Sequence, residues 1–115
     1  MELSSTSLLV LLALRDGPAH GYGILRRASE LDVGAVPPVA TLYATLDRLV
    51  RDGLIAEDRE EIVDGRARRF YIATNEGHGA LRGEVERMER AVALVRSTPT
   101  RRPRRPRHPA AMVAR

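Results

Sequence analysis

The sequence predicts a mainly helical fold with a small β-hairpin, and three observations carry that expectation. Apolar residues recur at helical spacing in several separate stretches. Two runs of strand-forming residues, "LIAEDREEIV" and "RARRFYIAT", flank Asp64-Gly65, a strong signal for a two-residue hairpin turn. Aromatic residues make up only 3% of the 115-residue chain, so its core must be aliphatic.

The elements follow in order along the chain. Ser4 or Ser5 can cap a first helix. Its run Leu8 to Leu14 is apolar nearly all round, the pattern of a helix either deeply buried or shared with a partner. Asp16-Gly17-Pro18 ends it. A second helix is expected from about His20 to Leu31, with Ile24, Leu25, Ala28 and Leu31 inward and Arg26, Arg27 and Glu30 outward. A loop spans residues 32–38. Helix three is expected from Val39 to Asp52, stopped by Gly53. Leu42, Leu46, Leu49 and Val50 form its inner face. Ala40, Ala44, Asp47, Arg48 and Arg51 form the opposite face, with Thr41 and Tyr43 at the flanks.

In the hairpin, alternation puts Phe70 and Ile72 on one face and Arg69 and Tyr71 on the other. Thr74 is the expected N-cap of a fourth helix running to about Arg96. Leu81, Val85, Met88, Val92 and Val95 repeat at heptad spacing, with Glu84–Arg87 and Glu86–Arg90 as supporting charge pairs. A stripe this short needs a partner surface, because short helices gain most of their stability from packing. The expected organisation is a winged helix-turn-helix DNA-binding domain over residues 1–73, a dimerisation helix over 74–98 and a disordered Pro/Arg-rich tail over 99–115.

Composition narrows the function. There is no cysteine, which leaves neither a disulfide framework nor a thiolate metal site and fits a cytoplasmic location. The run Leu8 to Leu14 is too short to span a bilayer, and Glu2 and Arg15-Asp16 do not suit a secretory leader. The net charge of +4 misleads, since six of the arginines lie in residues 97–115. Residues 1–96 hold 13 arginines against 15 acids, so DNA binding must rest on where the arginines sit. The absence of lysine is read as codon usage. His20, His78 and His108 are scattered and lack companion ligands, so no metal or other cofactor is expected. No nucleophile–base constellation appears, and no catalytic residue is assigned.

A helix presented by a small bundle and followed by an arginine-bearing hairpin is the arrangement of a winged helix-turn-helix, which reads double-stranded DNA. Val39, Ala40, Thr41, Tyr43 and Ala44 are the candidates for base contact, with Arg48 reaching phosphate or guanine. Tyr43 serves equally as a core aromatic with its hydroxyl at the surface. Arg66, Arg68 and Arg69 cluster past the turn and suit phosphates, the alternative being a solvated edge strand that blocks aggregation. Gly21 and Gly23 permit close backbone approach, either to helix one or to a phosphate that His20 and Tyr22 bind as donors. The alternative there is tight helix packing with a capping histidine.

Together, "LLALRDGPAHGYGILRR", "ATLYATLDRLVRDGLI" and "GRARRFYIATNEG" resemble the PadR family of bacterial transcriptional regulators, over about residues 5–95. The resemblance implies a dimer that binds near-palindromic operators, usually as a repressor. It places Thr41, Tyr43 and Ala44 on bases, Arg66 to Arg69 on phosphates and Tyr22 near DNA. Helices one and four would build the homodimer, through Leu8, Leu9, Leu12, Leu81, Val85, Met88, Val92 and Val95. Some members of the family bind small, often aromatic effectors between subunits. Here the short arm and scarce aromatics offer such a ligand little wall. Where the family often has Ser-Pro-Gly before Thr-Leu-Tyr, this chain has Pro38-Val39-Ala40, which leaves the N-cap of helix three open. The competing expectation is a winged-helix module for protein–protein contact, favoured by the acidic balance of residues 1–96.

Overall fold

The computed structural model describes residues 2–99, so the tail expectation lies, from residue 100 onward, outside the described residues. In chain order the elements are α1 (Ser5–Leu14), β1 (Ala19–His20), α2 (Gly21–Leu31), α3 (Val39–Arg51), β2 (Ile55–Val63), β3 (Arg66–Ala73) and α4 (Asn75–Ser97). This is a mainly helical winged helix-turn-helix with a three-stranded antiparallel sheet ordered β1-β3-β2. β1 has no counterpart in the sequence reading. It is only two residues long and exists because Ala19 and His20 pair with Tyr71 and Phe70. Tertiary pairing of this kind leaves no local signal.

Ser4 caps α1, its Oγ accepting from the Ser7 N–H at 3.1 Å. The helix is the hub of the fold. Ser7, Leu9, Val10, Leu11, Ala13 and Leu14 are all buried, which is why it reads as apolar all round. Leu9, expected at a dimer interface, is 4% exposed and has no surface to give a partner. Leu81 is likewise buried, in the protomer's own core. Leu8 and Leu12 pack partly against that core and keep some surface.

The core is aliphatic, built on Leu11, Leu14, Ile24, Leu42, Leu46, Leu49 and Ile55. Burying such side chains contributes about 1.5–3 kcal/mol apiece. Tyr71 is its one aromatic, so β3 turns inward at Tyr71, while Phe70 stays half-buried and Arg69 is exposed. On α3 the inner face is Leu42, Thr45, Leu46 and Leu49. Val50, expected there, is exposed, because it lies about 100° round the helix from Leu49. Arg27, expected outward, turns back instead. Its guanidinium donates to the carbonyls of Ala13, Gly17 and Pro18 at 2.9–3.0 Å, satisfying the end of α1 and the turn after it.

The hairpin turn has positive φ at both Asp64 (52°) and Gly65 (77°), the type I′ conformation that matches strand twist. A bulge falls between Glu57 and Arg59. At the foot of the hairpin, Thr74 Oγ1 donates to the Gly53 carbonyl (2.7 Å) and accepts from the Gly77 N–H (3.0 Å), so one side chain joins the end of α3 to the start of α4. A Cβ at Gly77 would collide with the Leu54 carbonyl, so only glycine lets α4 start this close.

Candidate nucleic-acid interface

The exposed side of α3 carries small residues in its N-terminal half, Ala40 and Ala44, and charged ones beyond, Asp47 and Arg51. These residues lie opposite the buried Leu42–Leu49 face. Thr41 and Arg48 form one flank, towards the N-terminus of α1, where Arg48 borders a hollow with Glu2 and Asp52. Tyr43 forms the other flank, towards α2 and the wing. Val39, at the first turn, is also exposed. Pro38 occupies the N-cap without a side-chain cap bond, so the first amides of α3 are left to other partners. Asp47 and Arg51 were absent from the expected site residues. Their spacing from Ala40 and Ala44 was the available signal.

The N-terminus of α2 meets the wing beside this face. His20 is its N-cap, with Nδ1 accepting from the Gly23 N–H at 3.3 Å. The ring packs edge-on against Phe70, with centroids 5.2 Å apart. Burial first, then the charges of Arg68 and Arg26, hold its pKa below the usual histidine value. The capping alternative therefore describes His20 best. Its Nδ1 is already committed, and Nε2–H is left to donate. Gly21 lies against the hydroxyl end of Tyr43, so close approach is the reason for that glycine.

The wing arginines have different surroundings. Arg68 lies over the Tyr22 ring, 4.8 Å from its centroid, with Nε buried and unpartnered. That is cation–π geometry. Arg69 pairs with Glu57 across the strands at 3.4 Å, with both side chains exposed. Arg66, beside the turn, is exposed and forms no ion pair among the described residues. On β2, Arg59 covers Phe70 and is tied to Asp58 and Glu61. With Glu57, Asp58, Glu60 and Glu61 on β2, the hairpin is close to charge-balanced, and its free positive charge sits on β3.

A second feature lies away from this face. Beyond Glu86, α4 is exposed on every side. Its heptad positions Met88, Val92 and Val95 are bare. Met88 and Val92, with Val85, Glu89, Ala93 and Arg96, line an open hollow of about 510 Å³. The Glu84–Arg87 pair forms as expected, with Glu84 buried, and the Arg87 guanidinium holds its carboxyl below the usual carboxylate range. Among the described residues, no cluster of His, Cys, Asp and Glu suits a metal, and no helix is long and apolar enough to cross a membrane.

A helix-turn-helix whose last helix shows an exposed outward face beside a two-stranded wing defines the winged-helix class of DNA-binding regulators. Residues 10–83 match the model of the transcriptional regulator PadR-like family, and the chain belongs to that family. Over 88 residues it is 37% identical to the transcriptional regulator Rv3488 of Mycobacterium tuberculosis, covering 76% of this chain and 79% of that one. It superposes with a TM-score of 0.63 on a PadR family regulator from Clostridium difficile, at 25% identity over 80% of this chain and 94% of the other. The same fold is found in Bacillus subtilis PadR, solved in complex with operator DNA, with a TM-score of 0.62 and 22% identity. That match covers 81% of this chain and 60% of the Bacillus protein.

Proposed function

We propose that this regulator is a homodimeric repressor that binds a near-palindromic operator, inserting α3 into the major groove while the wing holds the flanking backbone. The observation that carries this reading is the outward face of α3. Ala40, Thr41 and Ala44 are small and exposed, so the helix backbone can approach the groove floor closely. Alanine and threonine methyl groups suit thymine methyls, and Thr41 and Arg48 add polar contacts from the flank. Arg66 is the wing residue best placed for phosphate, since Arg68 and Arg69 have partners within the chain.

Two-fold pairing would come from α4, whose bare stripe is the surface a second subunit would cover, with Leu8 and Leu12 of α1 alongside. We assign the hollow over Val85, Met88 and Val92 to that subunit rather than to an effector. Its walls carry no aromatic ring, and an aromatic ligand would find no stacking surface there.

The near-neutral hairpin favours a second reading, in which the wing contacts another protein and DNA is not read. A mobility-shift titration decides between them, using the DNA upstream of the chain's own gene and a shuffled duplex of equal composition. The repressor reading expects a discrete complex on the upstream DNA at concentrations where the shuffled duplex stays free. Equal affinity for both duplexes, or none for either, would favour the interaction module.

A further inference from the structure

We propose that Tyr43 is a positioning residue, a strut between α3 and the N-terminus of α2 that sets the pose of the recognition helix, rather than a side chain that reads bases. The inference rests on the DNA-binding reading above and adds to it.

The contact is steric. A Cβ built on Gly21 would collide with the Tyr43 hydroxyl and lie 2.7 Å from Cζ and 3.0 Å from Cε1. Gly21 is buried, and it is not among the glycines with positive φ. Its backbone would therefore accept any L-residue. The three atoms nearest to such a Cβ all belong to the Tyr43 side chain, itself exposed, which occupies the space the Cβ would need.

The anchor at the far end of the strut is rigid. The strand ahead of Gly21 is paired to β3, His20 caps the helix, and its ring lies against Phe70. α3 has its close neighbours in α1 and β2, whereas α2 packs on α1, β1 and β3. The Tyr43–Gly21 contact thus ties the recognition helix to an element that the wing already holds. It also forms one wall of a polar cleft of about 270 Å³ between α3 and the wing, lined by Asp47, Glu60, Arg68 and Arg69 among others. Pose matters because base-edge contacts tolerate only small displacements, whereas phosphate contacts by long side chains adapt to them.

The test is a mutant cycle read as a specificity ratio, the affinity for the upstream DNA divided by that for the shuffled duplex, with melting of the free proteins alongside. Tyr43→Phe keeps the ring and should keep the ratio. Gly21→Ala, which expels the ring, and Tyr43→Ala, which removes it, should each lower the ratio about tenfold, the scale of one lost base contact. Affinity for the shuffled duplex should barely move. The double variant Gly21→Ala/Tyr43→Ala should be no worse than Tyr43→Ala alone, because both changes break one contact. A merely structural role would lower both affinities together with the melting temperature, and that result would overturn the inference. So would a Tyr43→Phe loss as large as that of Tyr43→Ala, which would assign the effect to the hydroxyl rather than to the ring, or losses that multiply in the double variant. A wild-type protein without preference for the upstream DNA would overturn the operator reading and the inference with it. A preference that Gly21→Ala leaves intact would overturn the inference alone.

Discussion

His20 provides a test of the junction between α2 and the wing that needs no DNA. Its imidazole does two things in the folded chain, accepting the Gly23 N–H at Nδ1 and packing edge-on against Phe70. Loss of an N-cap costs about 1 kcal/mol. Loss of an edge-to-face aromatic pair costs about 1 kcal/mol more. His20→Ala should therefore destabilise the protein by about 2 kcal/mol, lowering the melting temperature by about 10 °C in a domain of this size. His20→Asn restores a capping oxygen but not the ring, and should lose about half as much.

The pH dependence has a definite sign. Burial, Arg68 and Arg26 hold the folded pKa below the ordinary value of 6.5, with Asp64 pulling the other way. The unfolded chain therefore takes up the proton first as pH falls. The contribution of His20 is fully present above pH 6.5 and is lost as pH drops through the folded pKa. Thermal melts of wild type and His20→Asn, followed by circular dichroism from about pH 7.5 to about pH 5, isolate this term from the other histidines. The gap between the two proteins should narrow steadily on acidification. A gap that stays constant, or an Asn variant as unstable as the Ala variant, would refute the cap and leave His20 only its packing against Phe70.

Three further outcomes are expected. Met88→Asp with Val92→Asp alters side chains that are exposed in the protomer, so the chain should stay folded while analytical ultracentrifugation shows monomer; an intact dimer would place the interface elsewhere. Arg66→Ala should weaken binding on all sequences alike and reduce the slope of log affinity against log salt by about one, measured by fluorescence anisotropy. Gly77→Ala drives a methyl group into the Leu54 carbonyl and should cost about 3 kcal/mol in urea unfolding, the upper end of overpacking penalties, because backbone cannot swing aside.

The helices and the hairpin were legible because each carries its own local signal. Leu42, Leu46 and Leu49 repeat at helical spacing, Asp64-Gly65 has the chemistry of its turn, and Thr74 stands where a cap is needed. What escaped was set by tertiary contact. β1 exists through its pairing with β3, and Arg27 points inward only because the carbonyls of Ala13, Gly17 and Pro18 converge on it. A heptad assigned Leu81 to a partner, yet the same apolar side chain satisfies its own core. Periodicity shows which face is apolar but not what covers it. At the candidate interface, residue type located the arginines of β3 without distinguishing Arg66 from Arg68, which stacks on Tyr22. That distinction depends on which ring happens to lie across the sheet.

Ala44 lies at the centre of the outward face of α3 and is exposed, so Ala44→Glu adds a charge there without disturbing the core. Anisotropy titration of this variant against the upstream DNA, with its melting temperature and oligomeric state checked alongside, asks whether that face meets the duplex. Contact between α3 and the groove should make the added carboxylate abolish preferential binding while folding and assembly stay as in wild type. Wild-type affinity and preference in Ala44→Glu would contradict it, and would show that DNA, if bound, is bound by another surface.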